Sequence, residues 1–149
     1  MDPASRGPLV DTALRTSADG VFAAGNLLHP VDTADVAALD GRHVAAQVAA
    51  HLEGRLRPLA ATRIVAGPGF AWAAPGLVRP GDPEPARRRL LLWPTEHRAV
   101  ARVEVRQGRA VLARRTLPWA ASPGRVFRVP WSMLAKARPG DGEVTVGLA

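Results

Sequence analysis

Cysteine is absent from this chain, which excludes thiolate catalysis, redox disulfide exchange and a disulfide framework together. Tyrosine is absent too, and aromatic residues make up only 5%, so a core has to be built largely from Ala, Val and Leu. No apolar run reaches the roughly 18 residues that a membrane-spanning helix needs. The opening residues MDPASRG lack the basic-then-apolar pattern of a secretory signal, so a cytoplasmic protein is expected. Lysine is nearly missing, with Lys136 alone among arginines.

What remains is 149 residues, 47% of them apolar, enough for one ordinary domain or two small pieces sharing a chain. The net charge of +7 is uneven: residues 1–58 carry five basic and seven acidic side chains, residues 59–149 fifteen and six. Such asymmetry is one mark of a surface for nucleic acid or an acidic protein. The near-exclusive use of Arg reads more simply as coding bias. No aromatic-basic motif of a known RNA or DNA module accompanies it, so nucleic acid is not the expected partner.

Two textures meet near Pro58. Before it, a short extended stub at residues 9–11 leads to the polar turn TSADG, then to Val21, Phe22, Ala23 and Ala24, stopped by Gly25. Four apolar residues between turn signals predict a buried strand of a parallel sheet. A loop containing Pro30 follows, and residues 33–53 predict a helix. Its expected apolar face is Ala34, Ala37, Ala38, Val44, Ala45, Val48, Ala49 and Leu52, with Asp32 or Thr33 as N-cap and Gly54 as the residue that ends it. Gly41 inside the helix predicts close packing against a neighbour. After Pro58 the pattern is β throughout. Short strands are expected at residues 63–66, 70–73, 88–93, 99–106, 110–117, 125–130 and 143–148, with a Pro/Gly loop at 77–85, a turn at 107–109 and a single helical turn at 131–135. The expected class is α+β: a strand-plus-helix remnant over residues 1–57, and a small antiparallel β-sandwich over residues 58–149.

The stretch with chemical content runs from Thr16 to Asn26, TSADGVFAAGN, and continues as HPVDTADVAALDGRHVAAQV. A strand ending in glycine lets a ligand approach the backbone. Ligands of open α/β sheets lie beyond the carboxyl ends of the strands, and a following helix points free N–H groups at them. Gly25, Asn26 and the turn at Thr33, Ala34 and Asp35 are therefore expected to face one ligand.

This block resembles the last conserved block of FAD-dependent pyridine nucleotide-disulfide oxidoreductases and their thioredoxin reductase-like and sarcosine oxidase-type relatives, T-x-x-x-G-[VI]-[FY]-A-x-G-D followed by an Ala-rich helix. Thr16, Gly20, Val21, Phe22, Ala23 and Gly25 match in register, and Gly41, Val44 and Ala45 match the helix. The resemblance covers residues 7–52. It implies FAD as cofactor, with Asn26 standing where the family's Asp contacts a ribityl hydroxyl, and with Thr33 and Ala34 near the flavin O2 edge. Asn26 keeps the hydrogen bonding and drops the charge. It also implies dinucleotide folds that this chain does not contain: GPGFAW at residues 67–72 has too few glycines and no following helix to serve as a GxGxxG.

The other candidates read as structural. His29 is expected to be solvated, with a flavin or substrate contact as its other reading. Asp32 and Asp35 read as helix caps. His43 and His51 are two turns apart, and Glu96 with His97 are too few for zinc, so no metal site is expected. Arg87, Arg88 and Arg89 read as a solvated strand entry rather than a phosphate grip, and Trp72, Trp93, Trp119 and Trp131 as core rather than a stacking platform.

The expectation is therefore the C-terminal part, or a small subunit, of an FAD-dependent oxidoreductase, NAD(P)H-linked or amine-oxidising. It would supply one edge of a flavin site completed by an upstream domain or partner subunit, and would be inactive alone. No catalytic residue is assigned. Two alternatives stand beside it: a non-enzymatic basic β-domain binding nucleic acid or an acidic protein partner, and a truncated reading frame without function.

Overall fold

The computed structural model describes residues 2–29, 34–56, 60–138 and 140–149. They form one long helix, α1 (Ala34–Leu52), and eight strands: β1 (Thr62–Ala66), β2 (Phe70–Ala74), β3 (Leu77–Val78), β4 (Arg89–Pro94), β5 (Ala101–Gln107), β6 (Ala110–Leu117), β7 (Phe127–Pro130) and β8 (Val144–Leu148). The class is α+β, as expected. The strands make a five-stranded sheet ordered β3-β1-β8-β5-β6 and a three-stranded sheet ordered β2-β4-β7, all antiparallel except β1 beside β8.

Period-two alternation drives this arrangement. In β5, Ala101, Val103 and Val105 are fully buried while Arg102 faces solvent. They meet Ile64, Val144 and Val146 of the same sheet and Phe70, Leu90, Leu92, Phe127 and Val129 of the other, so both inner faces share one core. On the wet face Glu104 lies opposite Arg114 in register and bonds both Arg114 and Arg106. The predicted turn after β5 is shorter than expected: Gly108 and Arg109 make it, with Gly108 at φ 54°. Gln107 instead ends β5, buried. Its amide donates to the Arg138 and Gly142 carbonyls at 2.6 and 2.9 Å and accepts from the Arg138 N–H at 2.9 Å.

Helix α1 ends as its sequence requires. The Gly54 N–H bonds the His51 carbonyl, the Arg55 N–H bonds the Ala50 carbonyl, both at 2.9 Å, and Gly54 adopts φ 68°. This is a Schellman closure. No described helix is long and apolar enough to cross a membrane.

Three expectations need correction. Residues 21–24 are not a strand of a parallel sheet: their only β pairing is an isolated antiparallel bridge between Arg15 and Phe22, and Val21 is 50% exposed while Ala23 is buried against Val10, Leu14 and Leu28. Gly41 packs against nothing, with open space where a side chain would stand. The buried face of α1 is also displaced from the expected one. Ala34, Ala38, Gly41, Ala45, Ala49 and Leu52 are exposed, Ala37, Val44 and Val48 are half-buried, and Val36, Asp40 and Ala50 are buried with His43 and Gln47 half-buried. The reason is a set of polar partners: Arg87 of the β unit bonds Asp40 at 3.2 Å and the Val36 carbonyl at 3.4 Å, and His43 Nε2 lies 2.8 Å from the Thr12 carbonyl of the N-terminal segment.

The N-terminal segment is woven onto the β unit rather than left as a stub. The Val10 carbonyl accepts from both Gly76 and Leu77 N–H at 3.1 Å. A Cβ on Gly7 would stand 2.2 Å from the Leu28 carbonyl oxygen, so only glycine lets these two backbones pass. The Asp11 carboxylate, fully buried, accepts the Ala13 and Arg15 N–H groups at 3.0 Å each and the Arg15 and Arg79 guanidinium groups at 2.8 and 2.9 Å. Arg15 reaches on to both oxygens of Asp82 at 2.6 Å.

Replacing Asp11 with Asn leaves two buried guanidinium groups short of charge. Urea unfolding is expected to show a loss of about 3 kcal/mol or more. Asp82→Asn, which removes only the outer carboxylate, is expected to cost about 1 kcal/mol.

Candidate functional site

The candidate ligand-facing block is built from a turn, an extended run and a helix start. Thr16 Oγ1 accepts the Ala18 N–H at 3.1 Å, and the Thr16 N–H bonds the Val21 carbonyl at 2.9 Å. Gly20, at φ 71°, turns the chain into the run. Phe22 meets the His51 ring edge-on at 5.7 Å, tying the run to the far end of α1. Gly25, also at φ 71°, opens a 3-10 turn, Gly25–Leu27. It is buried against the first turns of α1, where its own Cβ would stand 3.6 Å from Ala37 Cβ.

Of the four residues expected to contact a flavin, Gly25 is therefore enclosed, Asn26 is exposed beside it, and Ala34 is exposed at the start of α1. Thr33 lies outside the described residues, as do Pro30 and Asp32. Asp35, in the first helical turn, is placed where a carboxylate favours the helix dipole.

Comparisons with family models, curated proteins and solved structures found no match.

The remaining candidates are placed by the structure alone. His29 is not solvated: it is 2% exposed and stacks on Trp72 at 5.1 Å, with Trp93 stacked beyond at 6.0 Å. The His29 ring is thereby held on β2, next to β4. Arg87 is no solvated strand entry either, since its ion pair with Asp40 is largely buried, whereas Arg88 is exposed and bonds Glu84. Among the tryptophans, Trp72 is buried and Trp131 packs on the core, but Trp119 is 39% exposed. No group of three or more His, Asp or Glu among the described residues is arranged to hold a metal.

Two spaces adjoin the block. One is a cavity of about 30 Å³ among Thr12, His29, Asp40, His43, Arg87 and Leu91, room for one or two waters and for no organic cofactor. The other is an open cleft of about 580 Å³ between residues 15–20 and the His51–Gly54 end of α1. It lies at the carbonyl end of the helix, opposite the Gly25–Asn26 end, so it is not the space expected for the flavin.

Sequence reading missed the Asp11, Arg15, Arg79 and Asp82 cluster, although the four-residue spacing of Asp11 and Arg15 was available as a signal. The cluster sets the electrostatics beside the Thr16 turn. Burial raises the Asp82 pKa, and the Asp11 charge raises it further, against the opposing pull of Arg15 and Arg79. Burial alone works against the Arg15 charge, but Asp11 and Asp82 together hold that guanidinium protonated above its usual range. Glu104 is shifted the other way, lowered by hydrogen bonds from Arg106 and Arg114.

These shifts fix two signs. Asp82 holds its proton more tightly folded than unfolded, so its contribution to stability is full below its ordinary value of 3.8 and is lost as pH rises through the raised one. The Glu104 contribution is full above 4.5 and is lost as pH falls through its lowered value. A carboxyl-carbon NMR titration is expected to give midpoints on opposite sides of the ordinary range, and Asp82→Asn to steepen the loss of stability at acid pH, because it removes a contribution that grows as pH falls. Midpoints in the reverse order would contradict the cluster geometry. Gly25→Ala meets no steric obstacle beyond ordinary contact, so its cost is expected to come from the positive φ, about 1–2 kcal/mol by thermal or urea unfolding.

Proposed function

We propose that this chain supplies one edge of a flavin site in an FAD-dependent oxidoreductase, as its C-terminal part or as a small subunit. Gly25, Asn26, Thr33 and Ala34 would contact the cofactor. The flavin supplies the redox chemistry, and this chain contributes position and neutral hydrogen bonding at the ribityl chain and the O2 edge.

The observation that carries this reading is the bare stripe on α1. Ala34, Ala38, Gly41, Ala45, Ala49 and Leu52 recur at three- and four-residue steps, and all are exposed, Leu52 at 80%. Small residues at that spacing permit a helix to lie close against a sheet, and the same unit leaves Val21, Leu27 and Leu39 at 50, 64 and 43% exposure. A helix that packs on its own chain through a mixed face, Val36, Asp40, His43 and Ala50, and leaves its small-residue stripe outward supports the presence of a further layer, and the resemblance of the block is what suggests a flavin domain for it. Asn26 lies exposed at the same end of α1 as Ala34, which favours a contact made jointly with that layer.

Gly41 separates the two states of the helix. In this chain Gly41→Ala is expected to stabilise by about 1 kcal/mol, since the site is an exposed helix interior. Gly41→Leu is expected to leave the chain folded. In the assembled flavoprotein, made with the upstream dinucleotide-binding half encoded in frame or by a neighbouring gene, Gly41→Leu is expected to abolish FAD retention, read as loss of yellow colour on gel filtration. Tight stoichiometric quenching of flavin fluorescence by this chain alone, or the lack of any such half in the coding region, would overturn the proposal.

A further inference from the structure

A second surface, on the side of the β unit formed by β7 and the chain leading into it, has a chemistry the flavin reading does not use. An open groove of about 480 Å³ is lined by Arg89, Trp119, Ala120, Arg125, Val126 and Arg128. That is within the range of small-ligand sites. No carboxylate lines it.

The topology explains the convergence. Arg89 of β4 lies opposite Pro130 of β7, and Arg128 lies opposite Leu91, so Arg89 and Arg128 are diagonal neighbours on the face turned away from the core. Arg125 closes a turn on Ser122, with Gly124 at φ 84°, immediately before β7. Trp119 is held two residues ahead of Ala121, whose backbone exchanges two hydrogen bonds with Arg98 at 2.8 and 3.0 Å. The groove is therefore built on strands and a bridged segment rather than on a loose loop.

Its arginines are grouped without a carboxylate, whereas many others on the surface are paired. Arg63, Arg79, Arg87, Arg88, Arg98, Arg106 and Arg114 each have a carboxylate partner. Arg89, Arg125 and Arg128 form no ion pair among the described residues, although Arg89 is half-buried. Three guanidinium groups brought to one groove without a carboxylate call for an anion, and guanidinium matches phosphate with paired N–H donors. The exposed Trp119 indole adds a planar apolar face at the same groove.

We propose that this groove binds a nucleotide unit, with the base stacked on Trp119 and the phosphate held by Arg89, Arg125 and Arg128. The combination of indole and guanidinium groups fits a stacked, phosphorylated ring better than it fits an acidic peptide, which has no use for the indole. The lining offers no side-chain amide or carboxylate to read base edges, so discrimination among bases is weak. The unit is either a free nucleotide or one residue of a single strand, and the two share this chemistry. The proposal is independent of the flavin site, which lies on other elements.

The test is a low-salt titration of the whole chain with AMP, inorganic phosphate and a short single-stranded oligonucleotide, followed by calorimetry and by competition. AMP is expected to bind more tightly than phosphate. Trp119→Ala is expected to weaken AMP about tenfold and leave phosphate unchanged, and Trp119→Phe to recover most of the loss. Arg125→Ala with Arg128→Ala is expected to weaken both about tenfold or more. Competition of oligonucleotide with AMP, at an affinity that grows with strand length, identifies the strand as the source; equal affinity per site identifies the free nucleotide. Circular dichroism checks that the exposed substitutions leave the fold intact, and Arg125→Glu serves as a second charge variant. AMP binding no better than phosphate, insensitivity to Trp119→Ala, or no binding of AMP at low salt would overturn the proposal. None of these outcomes bears on Gly41 or on flavin retention.

Discussion

The carboxylate of Asp11 is the point on which the two parts of this chain hang together. A fully buried anion is tolerated only where its lone pairs are occupied, and here two backbone N–H groups and two guanidinium groups occupy them. The backbone bonds close the turn at residues 11–15, and the guanidinium bonds extend its reach. Arg15 carries the network to Asp82, and Arg79 brings in the chain just after β3. One side chain therefore fixes the direction in which the segment leaves the β unit, and with it the position of the Thr16 turn and of everything up to Gly25.

The same logic governs the helix. Apolar burial alone would have turned Ala38, Ala45 and Leu52 inward. The β unit presents Arg87 instead, and a buried guanidinium needs a carboxylate more strongly than alanines need cover. Asp40 answers it, the Thr12 carbonyl takes His43, and the small-residue stripe is left outside. A polar seam of this kind specifies one orientation, because rotating α1 would carry Asp40 outward and take this carboxylate from Arg87. The seam and the bare stripe are thus two consequences of one pairing.

The β unit was legible in the sequence because its signals are local. Alternation in β5, the Gly108 turn and the helical turn after Pro130 each depend on a few neighbouring residues, and each lies where expected within a residue or two. The end of α1 was legible for the same reason, since Gly54 supplies its own positive φ. Residues 21–24 were not. Four apolar residues state that burial is available to them, and not which layer provides it, so a parallel-sheet strand was expected where a single bridge is present. Gly41 fails alike: a glycine permits close approach and does not name what approaches. His29 and Arg87 were misread because burial at long sequence separation, on Trp72 and Asp40, has no local signature. Of the expected flavin contacts, Gly25 is enclosed, Asn26 and Ala34 are exposed, and Thr33 lies outside the described residues.

These failures share a direction. Most apolar residues that patterning assigned to a core and the structure leaves exposed belong to residues 21–52, with Ala99 and Trp119 the exceptions in the β unit. Charge ties the two parts as well: the β unit carries the excess positive charge and places two of its arginines, Arg79 and Arg87, on buried carboxylates of the N-terminal part. By binding Asp11 and Asp40 through arginines of its own, the β unit holds the Thr16 turn and α1 by their polar sides, so that the orientation of both follows from charge rather than from apolar burial.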